Sequence, residues 1–426
     1  MKKYATRCMT LAAALGFIFL VAAARAVSAA DPPPLVFLHY WTGPLAGGVR
    51  EMTGAYNAAH PDHAIRATGF EHESYKIGIQ VMLSAGNPPD IFSYWAGAKV
   101  QALVDAGYLA PIDDLWRTAG LDAKFPETVA KACEYDGRKY VIPVTQHYVC
   151  FFYNTKIFHK LGLTAPGTWK EFLDACAALK AAGVTPLALG ARDKWPAQFW
   201  FDYLLLRTAG PAYRDRLLSG KASFEDPQVK RVMGLWRSLL EAGYFNDAPG
   251  AYDWSEAARM TAGGDAAMTL MGTWIIGLYD GQMGLNGQGY GYFPFPVLDE
   301  DVQEGALGPI DVIALPKGDK AEFAKTALLY FTEKGPQEAM SRGSGALAPS
   351  LSVPGDFYPP MQRGLLELAR RASSWSFNFD LATPPGLSEA GLEAFTRFLA
   401  APNEADAILS GLEARARIVF AGKPLP

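Results

Sequence analysis

The sequence predicts an α/β protein large enough for two lobes, and three observations carry that expectation. Short apolar runs alternate with amphipathic helical stretches over most of the chain. Glycine and proline punctuate these stretches where strands and helices should end. The chain has 426 residues, too many for one small core. No internal repeat or low-complexity segment interrupts the pattern.

The N-terminus opens Met1-Lys2-Lys3 and then runs uncharged over residues 11–24 before Arg25. That run spans about 21 Å at roughly 1.5 Å per residue, short of a bilayer core of about 30 Å. Ala26-Val27-Ser28-Ala29-Ala30 supplies the small residues of a cleavage site, so residues 1–30 read as an export signal. No cysteine stands there to carry a lipid, because Cys8 precedes the apolar run. The mature chain is expected to begin near Ala30 or Asp31, free in a periplasm-like space, with no later run long enough to span a membrane. Loss of Lys2, Lys3, Arg7 and Arg25 takes the net charge from −4 to −8, which argues against nucleic acid or anionic lipid as a partner. Cys133, Cys150 and Cys176 remain, an odd number that does not suit a disulfide framework. Cys133 and Cys150 bracket a predicted turn and two strands, so a bridge between them stays open. Cys176 reads as a buried apolar residue.

Residues 35–40 read as the first strand, followed by a helix with Val49, Met52, Tyr56 and Ala59 at helical spacing and Pro61 at its end. Strands are expected at 64–70 and 90–94, with a helix at 75–84 between them that Gly86-Asn87-Pro88-Pro89 ends. Val100, Leu103 and Val104 face inward on a helix stopped by Gly107. Thr168 and Glu171 form a capping box for a helix with Phe172, Ala175, Cys176 and Leu179 inward. Asp226-Pro227 opens another, with Val229, Val232, Met233, Trp236 and Leu240 inward and Gly243 at its end. Further strands are expected at 187–189, 268–271, 291–295 and 311–315, and the C-terminal stretch reads as helices joined by Pro-rich loops.

Four stretches, in this order, resemble one known family. They are residues 83–92 with the helix end Ala106-Gly107-Tyr108-Leu109; residues 135–143 with Phe152-Tyr153-Asn154; Thr168-Trp169-Lys170-Glu171-Phe172; and residues 263–268 with Gly272-Thr273-Trp274. The chain resembles the extracellular solute-binding proteins of ABC importers, the maltose-binding-protein-like sugar binders. The resemblance implies a periplasmic-binding-protein-like fold: two α/β lobes joined by hinge crossings, with C-terminal helices. It implies a first lobe of 31–142 plus 312–347 and a second of 146–308 plus 351–426. The crossings would lie near 142–145, 308–312 and 347–351, and closure over ligand would bend them.

A sugar ring has apolar C–H faces and a hydroxyl rim, which aromatic plates and a few carboxylates or amides match. Trp41, Trp95, Trp195, Trp254, Trp274 and Trp375 fall on predicted loops or strand ends, where ligand contact suits them. By resemblance, Trp274 stacks a sugar from the second lobe, and Trp375, with Asn378 nearby, is the C-terminal aromatic contact. Trp95 or Tyr94 supplies a first-lobe contact, Trp195 faces the cleft, and Trp41 with Thr42 follows the first strand. Trp254 follows the likely helix cap Asp253 and reads as structural. Glu71 matches an acidic ligand contact. His147 lies where the family often has an acid or amide, and Asp311 stands at the second crossing.

The implied partners are a small sugar ligand and the permease subunits of an inner-membrane importer, with the protein a periplasmic monomer, no cofactor and no metal. A receptor-docking sensor subunit is equally compatible with the sequence. A glycosidase is the enzymatic rival, since two carboxylates in a tryptophan-lined cleft describe one too. No nucleophile elbow, zinc-protease helix or P-loop stands in the chain, and Pro61 breaks helical pairing of His60 with His63. Polyamine or peptide binders would favour acid-dominated or backbone-pairing clefts, whereas loop tryptophans lean toward carbohydrate.

Overall fold

Runs that are apolar on both faces become the central strands, and the alternating run at 65–69 becomes an edge strand. The computed structural model describes residues 33–318 and 320–421. The export signal read at 1–30 lies outside the described residues. One five-stranded sheet runs Ile65–Gly69, Leu35–His39, Ile91–Trp95, Ile310–Ala314, Val141–Gln146. Its first three strands are parallel, and Ile310–Ala314 enters antiparallel to both neighbours. A four-stranded sheet runs Tyr290–Phe293, Val149–Asn154, Ala266–Gly272, Thr185–Ala188.

Each sheet has its own hydrophobic core. The first gathers Phe37, Ile91, Phe92, Ile142 and Ile313, all fully buried. The second gathers Phe151, Met268, Trp200, Trp236 and Phe395. The fold is therefore two α/β lobes with C-terminal helices, as the residue pattern predicts. Three segments run side by side between the cores. His147 N donates to Pro309 O at 3.0 Å, and Gln146 and Leu347 exchange two backbone bonds of 2.8 Å. Gly308 has no room for a side chain, because a Cβ would stand 1.7 Å from His147 O.

Local punctuation acts as expected. Glu171 N donates to Thr168 Oγ1 at 3.3 Å while Thr168 N donates to Glu171 Oε2, opening the Trp169–Ala181 helix. In the Pro227–Glu241 helix Leu239, not Leu240, is the fully buried residue. The predicted strand at 90 starts one residue later, since the Asp90 carboxylate takes Val36 N–H at 2.7 Å. The Gln198–Leu218 helix escaped sequence reading: it is buried nearly all round and has no polar face to give a period. Its course bends at Gly210, whose φ of 78° only glycine adopts easily, and Pro211 follows.

The bridge left open between Cys133 and Cys150 does not form. Cys133 packs in the first core and Cys150 in the second, so the lobes hold the thiols apart. Cys176 is a buried, unpaired residue of the second core.

His39, at the end of its strand, packs against Phe37 and Trp41 at 5.4 and 6.1 Å. Burial pulls its imidazole down to about 4 from 6.5, so the folded state favours the neutral ring. The unfolded chain binds the proton more readily between those values, so stability is present above pH 6.5 and falls as pH drops toward 4. The full loss should approach about 3 kcal/mol. Urea denaturation across this window should show the slope in the native chain and a flatter one in His39→Gln. An equal slope in both proteins would assign it to other groups.

Candidate functional site

Parallel strands point their carboxyl ends at one place, and the candidate residues sit there because they follow those ends. Trp41 and Thr42 follow Leu35–His39, Glu71 and His72 follow Ile65–Gly69, and Trp95 is the last residue of its strand. Trp274 follows Ala266–Gly272, and Trp195 opens a short turn after Thr185–Ala188. Asp311 joins them because its antiparallel strand places it opposite Trp95 and Thr145. These residues, drawn from both cores, line a cavity of about 330 Å³.

Aromatic contacts order its walls. Tyr40 stacks on Trp95 with centroids 4.2 Å apart and planes at 17°, and His72 meets Trp95 edge-on at 5.2 Å. On the other side Trp195 and His147 both meet Trp274 edge-on, at 5.8 and 5.2 Å. His72 and Trp195 approach to 6.1 Å across the cleft.

A polar network crosses the same seam. Thr145 Oγ1 donates to Asp311 Oδ2 at 2.5 Å, and His147 Nε2 lies 3.4 Å from that oxygen. The other His147 nitrogen, Nδ1, is 2.9 Å from Thr273 Oγ1 in the second lobe. Deeper in, Lys99 pairs with Asp380 at 2.8 Å and lies over the Trp95 ring at 5.0 Å. Burial alone would raise the Asp380 carboxyl, but the Lys99 ammonium holds it below its ordinary value. Asp380 is held from behind: its N–H donates to Gln198 Oε1 at 2.8 Å. The neighbouring Phe379 N–H donates to Asp202 at 2.8 Å, and Arg214 donates to both Asp202 and Phe377 O at 2.6 Å. A buried ion pair thus fixes the segment that carries Asn378 and Asp380.

Trp41, Thr42, Glu71, Trp95, His147, Trp195, Trp274, Asp311 and Asn378 all line the cavity. Two expectations need correction, and Glu71 carries a second role. Tyr94 points to the opposite face of its strand, where Gln80 donates to its hydroxyl at 2.7 Å, so Trp95 is the cavity residue. Trp375 stands at the crossing instead, donating from Nε1 to Gly308 O at 3.0 Å. Glu71 lines the cavity but spends its carboxylate capping the His72–Ser84 helix, accepting from Glu73 N, Ser74 N and the Ser74 hydroxyl at 3.0 to 3.1 Å. Burial opposes and these bonds favour its ionised form, and the balance holds its pKa below the ordinary glutamate value.

Trp254 departs from its structural reading. Asp253 does cap its helix, yet the indole also lines the cavity. Lys76, Lys99, Gln198 and Asp380 were missed, since long helical side chains reach the cavity from behind the strand ends. Lys99, four residues beyond Trp95, carried the one usable signal. Three polar atoms of cavity residues are buried without a partner: the indole nitrogens of Trp41 and Trp195 and Asn378 Oδ1. Such atoms are uncommon in folded chains, and these three leave bonding capacity free at the cavity wall.

Removing the Asp202 carboxylate should strand the Arg214 charge and release the 377–380 segment. Asp202→Ala should therefore cost about 3–5 kcal/mol of stability, measured by denaturant unfolding. A loss below about 1 kcal/mol would show that the pair is not what holds this segment.

The sequence profile described as bacterial extracellular solute-binding protein matches residues 42–338. An uncharacterized ABC transporter extracellular-binding protein of Pyrococcus horikoshii is 31% identical over 345 residues, covering 78% of this chain and 75% of that protein. A probable sugar-binding periplasmic protein of Mesorhizobium japonicum is 26% identical over 400 residues, covering 90% and 93%. Among solved structures, the bacterial solute receptor AcbH, described as exclusive for b-D-galactopyranose, superposes with a TM-score of 0.85 at 23% identity, covering 91% of this chain and 99% of that one. A chitin oligosaccharide binding protein superposes with a TM-score of 0.83 at 24% identity, covering 92% and 100%. At those identities the structural likeness speaks for the fold.

Proposed function

We propose, from the fact that this chain belongs to the bacterial extracellular solute-binding proteins, that it is the carbohydrate-binding component of an ABC importer. It captures a mono- or oligosaccharide between its lobes and presents it to membrane permease subunits, acting as a periplasmic monomer after its signal is cleaved. The observation that carries this reading is the composition of the cavity wall: five tryptophans, Trp41, Trp95, Trp195, Trp254 and Trp274, with Asp311, Asp380 and Asn378 between them. Indole faces cover sugar C–H faces, and the carboxylates and amide take the hydroxyls. The relatives described as sugar-binding point the same way.

The lobes are 31–142 plus 312–347 and 146–308 plus 351–426, and the crossings near 142–145, 308–312 and 347–351 act as the hinge. Bending there brings Trp195, Trp254 and Trp274 of one lobe onto a sugar held against Trp41 and Trp95 of the other, expelling water. Permease subunits then read the two lobes in their closed arrangement. Among the described residues no helix is long and apolar enough to cross a membrane.

The protein binds without turnover. A glycosidase needs a carboxyl kept protonated near neutral pH beside a second that is ionised. Two of the wall carboxylates, Glu71 and Asp380, are both lowered, the first by its helix cap and the second by Lys99, against the pull of burial, so neither suits the protonated role.

A thermal-shift screen of the purified protein against sugars, amino acids and polyamines tests this reading. A sugar at one hundred times its dissociation constant should stabilise the fold by about 2.7 kcal/mol, with no product formed. Stabilisation by a non-sugar alone, or breakdown of the sugar, would overturn it. With the sugar in hand, Trp274→Ala should weaken binding by roughly 2 kcal/mol or more in calorimetric titration. A change under about 0.5 kcal/mol would remove Trp274 from the ligand contacts.

A further inference from the structure

The first sheet ends in an open edge on the side away from the second lobe's crossings. Ile65–Gly69 is the outermost strand and pairs only with Leu35–His39. Along a strand, alternate residues turn their backbone N–H and C=O groups to opposite sides. Leu35 N donates to Ala64 O and Phe70 N to His39 O, so the even-numbered residues face into the sheet. Ile65, Ala67 and Gly69 therefore face outward. Asn57 occupies both groups of the first: its Oδ1 accepts from Ile65 N–H at 2.7 Å, and its Nδ2 donates to Ile65 O at 2.9 Å. This side-chain amide stands where the peptide of a neighbouring strand would stand. It covers Ile65 alone, and two donors and two acceptors follow in a row at Ala67 and Gly69.

A groove runs beside these groups, between the strand and the Ala46–Ala59 helix. The strand's length of about 13 Å, at about 3.3 Å per residue, suits four or five residues of extended chain. The helix wall is low at Gly54, where a Cβ would meet nothing within 4 Å. The groove is also basic. Arg50 of the helix and Arg66 of the strand line it, both exposed, and among the described residues no Asp or Glu does. Glu51, next to Arg50 in sequence, pairs with Arg342 at 2.9 Å instead. His39, another lining residue, keeps its buried Nδ1 without a partner.

A free strand edge facing a helix is the geometry in which an extended peptide adds as a further strand. Main-chain bonds then hold the peptide, and the flanking side chains select it. We propose that this groove takes an extended, acidic peptide segment of a partner protein. The segment pairs with the backbone of Ala67 and Gly69, and its carboxylates meet Arg50 and Arg66. The groove is separate from the interlobe cavity, although Trp41, Thr42 and Gly43 line both.

Fluorescence anisotropy of the purified protein tests this with a labelled hexapeptide of alternating glutamate and valine. Two controls accompany it, the lysine-for-glutamate peptide and the acidic peptide N-methylated along its backbone. The acidic peptide should bind in the millimolar range or tighter, and at least about tenfold more tightly than the lysine peptide. N-methylation removes the donors of strand pairing and should abolish binding. Arg50→Glu combined with Arg66→Glu should erase the preference for acid. Gly54→Leu fills the groove from an exposed helix position where leucine is the better helix former, so it should weaken binding about tenfold without loss of stability. No binding of the acidic peptide in the millimolar range would overturn the proposal and leave a bare edge. Binding that survives N-methylation would overturn it too, because the arginines would then be holding an anion rather than a strand. Affinities unchanged in both the charge-reversed protein and Gly54→Leu would place the peptide elsewhere and overturn it as well.

Discussion

The strand Ile310–Ala314 is the constraint on which the rest of the molecule depends. It fills the gap between Ile91–Trp95 and Val141–Gln146, so the first sheet is complete only when chain that has passed through the second lobe returns to it. The Thr145–Asp311 bond joins residues 166 positions apart. Pairings so distant in sequence cost loop-closure entropy before they give any contact. The two lobes are therefore not separable beads. Removing the second would leave the first sheet with an unfilled slot and two bare strand edges.

The cavity follows from that insertion. Because the returning strand runs antiparallel, its beginning lies beside the ends of its neighbours, and Asp311 arrives next to Trp95 and Thr145. His147, in the turn that leads into the second sheet, then bridges Asp311 and Thr273. The seam is held tightly at Gly308, where the two crossing segments touch backbone to backbone. The C-terminal segment adds Asn378, Asp380 and Leu381 to the wall. It is anchored in the second lobe by Asp202 and Arg214, and it reaches the first lobe through Lys99. The cavity is thus built from groups whose only common property is that they end or cross where the lobes meet.

Much of the architecture was legible because local signals and global structure agree. The Thr168–Glu171 capping box, the Asp226-Pro227 helix start and the run at 268–271, which extends to Ala266–Gly272, each became the element they predict. The failures have physical causes. The Gln198–Leu218 helix is buried nearly all round, so no polar face marks its period. The choice between Tyr94 and Trp95 turns on strand parity, which depends on which face of the sheet meets the cleft. The helix-cap role of Glu71, which lines the cavity as read, went unseen because a cap uses the same carboxylate chemistry as a ligand contact. Trp375 was read as a contact because a loop tryptophan looks alike whether it meets a ligand or a crossing segment.

Taken alone, the sequence determined the α/β class, most strands and helices, and the tryptophans that end strands, because periodicity, capping and turn chemistry are local. It also carried the family, through short motifs kept in order. Only the tertiary structure decided which of those side chains share a cavity, that Cys133 and Cys150 lie in different cores, and that Lys99 meets Asp380. Those facts depend on how strands from two lobes interleave, and a pairing across 281 positions leaves no trace in the residues on either side of it.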